Sequence, residues 1–445
     1  MTATLVQELT ADRVIAPQKP GSLEETGLAP DSVASLVLKW LHRGEARGTE
    51  LADAVRLPYG ILEPIIAHMR VEQLVEVKSA AGTGTAGYRY SLTDKGRDRA
   101  GRCLHECAYV GPAPVPLDQY LRHMSMLASE RPHINPQRVA AGFSHLIVEP
   151  DMLGQLGPAI DSGRAVFLYG PPGNGKSVMG DGIGRVLGGD IYIPHAIDVD
   201  GQIIAMFDPV THQARQREDE GALIRTDDAI DGRWTCIRRP VITVGGELTL
   251  EMLDLQFNPL SAFYEAPVQL KANGGVLVVD DFGRQRVPAR DLLNRWVVPL
   301  ESRVDYLNLH IGRKFQVPFN VMVVFATNLE PKSLADEAFL RRIPYKILAK
   351  NPTDEQFARI FEMNCRRCGV AFNPAHVEHL RSRYYVARNL QMRACHPRDL
   401  IDQIVSLCRY RQRPAEITPE LLDTVCQSYF LDDAENAQSG ATSAR

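Results

Sequence analysis

The feature that most constrains this 445-residue chain is an eight-residue loop directly after a short apolar stretch. The stretch covers residues 165–169, and the loop after it reads Gly170-Pro-Pro-Gly-Asn-Gly-Lys-Ser177. This loop matches the pattern G-x-x-x-x-G-K-[S/T], in which glycines let successive backbone N–H groups curl around phosphate oxygens. Because a strand is expected before the loop and a helix after it, a chance glycine-rich turn is a poor explanation of this match. The sequence therefore predicts an α/β fold of the P-loop type, built on a parallel sheet.

The loop also assigns a role to each of its side chains. Lys176 is predicted to reach the β and γ phosphates, and the Ser177 hydroxyl to coordinate Mg²⁺. The helix that follows adds the partial positive charge of its N-terminal end. The predicted nucleotide-binding residues are Gly170, Pro171, Pro172, Gly173, Asn174, Gly175, Lys176 and Ser177.

Two further apolar stretches end in polar side chains. The first reads Gly275-Val-Leu-Val-Val-Asp-Asp281, and the second runs over residues 320–328 and ends in Thr327 and Asn328. A carboxylate at the end of a buried parallel strand is costly unless it serves a cation. Asp280 is therefore predicted to hold Mg²⁺, and Asp281 to polarise an attacking water.

These three segments, in this order and followed by an arginine pair, resemble the AAA+ ATPases over about residues 143–430. The resemblance implies ATP and Mg²⁺ as cofactors and ATP hydrolysis as the activity. It places Walker A at residues 170–177 and Walker B at Asp280 and Asp281. Asn328 corresponds to sensor 1, which orients the attacking water.

The resemblance also assigns three arginines. Arg341 and Arg342 match the arginine-finger position, where a cation points into the γ-phosphate of a neighbouring subunit, and the choice between them stays open. Their alternative role is to cap a helix end. Arg398 resembles sensor 2, with an exposed structural arginine as the alternative. Because a finger needs a neighbour, the expected form is a homo-oligomeric ring, a hexamer, that remodels an unidentified protein client.

Two departures from the family pattern matter. Asp281 stands where most members have Glu, one methylene longer, so slow hydrolysis or an ATP-gated switch with little turnover is the alternative. Lys176 and Asp280 are 104 residues apart, which predicts an insert at about residues 200–263 with strands at 234–237 and 240–244. Residues 270–281 resemble the helix-2-insert branch, which includes MoxR-like ATPases and enhancer-binding activators. The insert then touches the ring pore or the client, or is a surface elaboration.

The N-terminal part predicts a separate module at residues 31–105. Apolar residues at Val33, Leu36, Val37, Trp40 and Leu41 line one side of a helix, and two more short helices and two strands follow. Residues 31–102 resemble bacterial winged helix-turn-helix regulators. This stretch holds eleven Lys and Arg against nine Asp and Glu, a small surplus for a phosphate binder. The module therefore either recruits a protein client, which we favour, or binds DNA as part of a DNA-bound ATPase or regulator.

The remaining boundaries follow from composition and periodicity. Residues 1–30 are expected to be a flexible leader and 106–142 a proline-stiffened linker. Residues 143–350 form the ATPase core, 351–430 a helical lid and 431–445 a disordered tail. A net charge of −4, eight dispersed cysteines and the lack of an apolar run of about 18 residues favour a cytoplasmic protein without a membrane span.

Overall fold

A parallel sheet of five strands forms the centre of the computed structural model, which describes residues 14–80, 84–215 and 229–430. The predicted tail at 431–445 and most of the charged stretch at 214–228 lie outside these residues. None of the helices within them is long and apolar enough to cross a membrane.

The N-terminal unit combines four helices with a three-stranded antiparallel sheet of order β1-β3-β2. A one-turn helix precedes it, and the elements are α1 Leu23–Thr26, α2 Pro30–Leu41, β1 Ala46–Arg47, α3 Gly48–Val55, α4 Tyr59–Val71, β2 Val75–Ala80, β3 Tyr88–Leu92 and α5 Asp94–Glu106. The five periodic residues that predict α2 face inward, and Val33 and Val37 are fully buried. The predicted order of helices and strands is therefore present.

Residues 14–30 do not form the free leader that the sequence suggested. Ser22 caps α1 by accepting a hydrogen bond from the N–H of Glu25, and Thr26 and Leu28 are buried. Backbone hydrogen bonds join this segment to residues 229–231. The expectation failed because a four-residue helix carries no periodic signal, and partners 200 residues away fix the segment. Residues 1–13 lie outside the described part.

The predicted linker is also part of the folded body. It contains β4 Val115–Pro116, α6 Leu117–Ser129 and α7 Pro136–Gly142. β4 is the edge strand of a second five-stranded sheet, where a proline without an N–H is tolerated. Arg233, 1% exposed, ties this region to residues 14–30, because it pairs with Asp231 and donates to the carbonyls of Thr26 and Pro114.

The central sheet has the order β10-β13-β16-β5-β17, and all its pairings are parallel. In chain order the core contains α8 Pro150–Ser162, β5 Val166–Tyr169, α9 Lys176–Leu187, β6 Asp190–Pro194, β7 Ala196–Val199, β8 Gln202–Ala205, β9 Trp234–Arg238, β10 Val241–Val244, β11 Gln256–Asn258, β12 Phe263–Glu265, α10 Val268–Lys271, β13 Val276–Val279, α11 Ala289–Ser302, β14 Val304–Asn308, β15 Lys314–Pro318, β16 Met322–Thr327, α12 Pro331–Leu334, α13 Glu337–Leu340 and β17 Tyr345–Leu348. Strands β13 and β16 are buried along their whole length, as expected for apolar strands covered on both faces.

The predicted insert at 200–263 is interrupted by a strand of the central sheet. Strand β9 is found where expected and pairs with β6, but β10 is an edge strand of the central sheet and not part of the insert. A short apolar strand gives no sign in the sequence of which sheet it joins. The second sheet, of order β11-β12-β8-β7-β4, packs against the N-terminal unit through Ala196, Ile203 and Phe263.

The lid is helical, as predicted, and lies after β17. Its helices are α14 Asp354–Cys368, α15 Pro374–Leu380, α16 His396–Tyr410 and α17 Pro419–Tyr429. The apolar faces expected around Phe361, Leu400 and Leu422 form one buried cluster. The carboxyl ends of the central strands point toward this lid, so the space between them is where a ligand can bind.

Candidate nucleotide-binding site

The loop at residues 170–177 connects β5 to α9 and needs its glycines. Gly170, Gly173 and Gly175 have φ of +134°, +81° and +74°, which side chains rarely adopt. A Cβ on Gly170 would lie 2.5 Å from the carbonyl oxygen of Ala349, and one on Gly173 would lie 2.5 Å from Cys395 Sγ. The loop is therefore shaped for close approach of its backbone to a ligand.

Lys176 is held at the base of this loop. Its Nζ donates to the carbonyls of Gly170 and Pro171 at 2.9 and 2.8 Å and to Asn328 Oδ1 at 2.7 Å. Burial lowers the pKa of Lys176 below its usual range, and the nearby carboxylates of Asp280 and Asp281 oppose that shift. The ammonium group is thus held in place at the carboxyl edge of the central sheet, beside Asn328.

Ser177 and Asp280, the two residues predicted to hold Mg²⁺, lie next to each other. Ser177 Oγ donates to Asp280 Oδ2 at 2.6 Å. Within the described residues no group of three or more His, Cys, Asp or Glu side chains gathers as a metal cage. Mg²⁺ is typically bound through one or two carboxylates together with substrate phosphates, so a hydroxyl and a carboxylate beside a phosphate loop fit this ion.

Asp281 and Asn328 meet between the ends of β13 and β16. Asn328 Nδ2 donates to Asp281 Oδ1 at 3.0 Å, while its Oδ1 accepts from Lys176. Asp281 has φ of +47°, a left-handed conformation that is strained for a residue other than glycine. The geometry therefore links three predicted catalytic residues in one chain of hydrogen bonds.

Gln285, which sequence reasoning missed, holds the acidic turn in this conformation. It is 9% exposed, and its Nε2 donates to the carbonyl of Asp280 at 3.0 Å and to that of Asp281 at 3.3 Å. Its Oε1 accepts from the N–H of Gly283 at 2.8 Å. A single glutamine in a turn carries no sequence signal, because its partners are carbonyls that any residue could supply.

The lid contacts the loop directly. The N–H of Cys395 donates to the carbonyl of Gly173 at 2.8 Å, and the N–H of Ala394 donates to Asn174 Oδ1 at 3.2 Å. Asn174, 6% exposed, also donates to Asn351 Oδ1 at 2.8 Å. Asn174 is thus a connection between loop and lid as well as a predicted loop residue.

Loop, acids and lid enclose a cavity of about 640 Å³. Its polar lining includes Lys176, Ser177 and the carboxylates of Asp280 and Asp281. Its lining also includes apolar side chains such as Val148 and Ile360, which suit a flat ring.

The predicted arginines differ in their positions. Arg398 lines the cavity but pairs with Asp399 at 2.9 Å, and its side chain is 57% exposed. Arg341 and Arg342 lie outside the cavity lining, next to α13. Arg342 pairs with Glu301 at 3.0 Å, whereas Arg341 is exposed and has no ion pair within residues 14–80, 84–215 and 229–430. Arg284 also lines the cavity and was missed from the sequence.

Comparisons with known proteins add a family match and several structural similarities. Residues 353–428, most of the lid, match a family described as Domain of unknown function (DUF8689). No curated protein sequence matches the chain. A RuvB variant from Thermotoga maritima is 14% identical, with a TM-score of 0.36 over 68% of this chain and 75% of that one. Another T. maritima RuvB structure, described as a Holliday junction branch migration motor, is 15% identical, with a TM-score of 0.34 over 68% and 74%.

NtrX from Brucella abortus is 12% identical, with a TM-score of 0.39 over 65% of this chain and 57% of that one. Similarities at this level carry no inference about ligands or partners. The sheet order, the loop between β5 and α9 and the helical lid themselves define the class, an α/β fold of the P-loop type.

Proposed function

We propose that this chain is an AAA+ protein that binds ATP with Mg²⁺ in the cavity and hydrolyses it. The observation that carries the proposal is the hydrogen-bonded series Lys176, Asn328 and Asp281 beside the Ser177–Asp280 pair. Such a set of one cation, one amide and two carboxylates at the edge of a parallel sheet suits phosphoryl transfer to water.

Each side chain has a step that its position supports. Lys176 exchanges its carbonyl contacts for phosphate oxygens, and Ser177 and Asp280 are the residues that would hold Mg²⁺. When bound, this ion would supply positive charge that stabilises the transferred phosphoryl group. Asn328 fixes Oδ1 of Asp281, and Oδ2, without a hydrogen bond in the described residues, is left to accept a proton from the attacking water.

The assembly is part of the proposal. Arg341 is exposed, unpaired within the described residues and away from the chain's own cavity, which suits a finger acting on a neighbouring subunit. Arg342 is held by Glu301, so we assign Arg341 the leading role. We propose a cytoplasmic homo-oligomeric ring, a hexamer, that acts on a protein client.

Recruitment of that client by the N-terminal unit is preferred over DNA binding. Lys78 pairs with Glu76 at 2.8 Å and Arg97 lies 3.6 Å from Asp94, so part of the basic charge is already balanced. Lys95 donates to the carbonyl of Glu72. A salt-sensitive gel shift that is lost when Lys78 and Arg89 are neutralised would favour DNA instead.

ATP turnover against protein concentration tests the function. We expect activity that rises steeply with concentration, is abolished in Lys176→Ala, and is lost in Arg341→Ala while ATP still binds. Arg342→Ala is the matched control and should retain most activity. If the native chain binds ATP tightly but its turnover equals that of Lys176→Ala at every protein concentration, hydrolysis is refuted. That result would favour the ATP-gated switch, for which the short Asp281 side chain argues.

A further inference from the structure

Arg284 is a cation of the cavity without a side-chain partner among the residues that the structure describes. Among those residues, three cationic side chains line the cavity: Lys176, Arg284 and Arg398. Lys176 donates to two carbonyls and Asn328, and Arg398 pairs with Asp399. The guanidinium of Arg284 is exposed and forms no ion pair or hydrogen bond within the described part of the chain. It is therefore available to a ligand without first breaking a contact.

Arg284 lies on the same turn as the carboxylates of the cavity. Its N–H donates to the carbonyl of Asp281 at 2.9 Å, so both belong to the turn that follows β13. Gln285, next in sequence, anchors this turn by bonds to the carbonyls of Asp280 and Asp281. The backbone that carries Arg284 is thus fixed next to Asp281, the carboxylate that we propose accepts the proton of the attacking water.

The charge beside these carboxylates calls for a further cation. A terminal phosphate would enter next to Asp280 and Asp281, and the proposed Mg²⁺ together with Lys176 would offset only part of the negative charge of the phosphates and carboxylates. Coulomb repulsion between these anions is strong in a partly enclosed site. A guanidinium keeps its charge at any ordinary pH and offers paired N–H donors that match phosphate oxygens.

We propose that Arg284 contacts the terminal phosphate of a bound nucleoside triphosphate and gives the site its preference for triphosphate over diphosphate. The inference rests on the proposed nucleotide binding and goes beyond it by assigning the discrimination to one residue. A diphosphate lacks the group that Arg284 reaches and gains little from it.

Equilibrium titration with ADP and a non-hydrolysable ATP analogue tests this, at one ionic strength and with Mg²⁺ present. In Arg284→Ala we expect the affinity for the ATP analogue to fall about tenfold or more, the size of one lost charge-assisted contact, and the ADP affinity to stay within about twofold. Arg284→Lys keeps the positive charge but lacks the paired N–H donors of a guanidinium, so its affinity for the ATP analogue should lie between those of the native chain and of Arg284→Ala. Arg286→Ala is the matched control, since Arg286 is exposed on the same turn but does not line the cavity.

Three results would overturn the assignment: no loss in Arg284→Ala, an equal loss for both nucleotides, or an equal loss in Arg286→Ala. Failure of nucleotide binding itself is separate, because the native chain would then bind neither ligand, or Lys176→Ala would bind as well as the native chain. The assignment is supported if Arg284→Ala loses the preference for triphosphate while Arg286→Ala keeps it, and if Arg284→Ala retains the native melting temperature.

Discussion

Replacing Gln285 with alanine tests whether one buried side chain holds the acidic turn. The amide of Gln285 donates to the carbonyl of Asp280 at 3.0 Å and accepts from the N–H of Gly283 at 2.8 Å, with longer contacts to Asp281 and Gly245. The truncation leaves two part-buried backbone groups without partners, at about 1–3 kcal/mol each. We expect the free energy of unfolding to fall by about 2–6 kcal/mol.

The same substitution should reduce catalysis more than binding. Asp281 keeps its left-handed φ of +47° only while its surroundings enforce it. Once the turn relaxes, a displacement of its carboxylate by about 1 Å lowers kcat by about 10- to 100-fold. The affinity for ADP should change little, because Gln285 forms no hydrogen bond to the loop at 170–177 within the described residues.

Urea titration and steady-state ATP turnover measure the two effects. Gln316→Ala is the control, because Gln316 is exposed on β15 and should change the free energy of unfolding by less than about 0.5 kcal/mol. An unchanged free energy in Gln285→Ala would refute the hydrogen-bond reasoning. A lowered free energy with native kcat would refute the positioning of Asp281.

Two further predictions concern stability. Arg233→Ala leaves Asp231, which is 2% exposed, as a buried unpaired charge, so urea titration should show a fall in the free energy of unfolding of about 3–5 kcal/mol. Arg122→Ala, which removes an exposed ion pair, is the control and should cost less than about 1 kcal/mol. Equal losses in the two variants would contradict the role of burial. Burial, together with a nearby arginine, lowers the pKa of His195 and of His396 to about 4. A histidine side chain in the unfolded chain has a pKa near 6.5. Each of these two histidines therefore makes its whole contribution to the free energy of unfolding above that pH, and the contribution falls by about 1 kcal/mol per pH unit toward pH 4. Urea titrations at pH 7 and pH 5 should show a smaller difference in the free energy of unfolding for His195→Asn than for the native chain. An unchanged difference would refute the contribution of His195.

The central sheet could be predicted because its signals are local. β5 with its glycine loop, and β13 with Asp280 and Asp281, are short apolar runs that end abruptly in functional residues, and both are strands at the carboxyl edge. The lid helices likewise carried their own apolar periodicity. The roles expected of Lys176, Asp281 and Asn328 came from the loop motif, the strand-end carboxylates and the resemblance to AAA+ ATPases, and in the structure hydrogen bonds join the three side chains.

What sequence reasoning missed depends on distant partners. Gln285 acts on backbone carbonyls, and Arg284 is distinguished only by facing the cavity without a partner. Arg398 pairs with its sequence neighbour Asp399, and this orientation of the side chain cannot be read from the sequence. The sheet to which β10 belongs is decided by its pairing with β13, and no pattern within four residues contains that information.

The short strand β4 has a practical consequence for dividing the protein into pieces. It lies where prolines suggest a cut between two independent halves, yet it pairs with β7 at the edge of the second sheet. A fragment that starts after it would leave β7 with unpaired N–H and C=O groups, a template for intermolecular strand pairing and aggregation. Fragments for separate expression should therefore keep residues 115–116 with the half that contains the two five-stranded sheets.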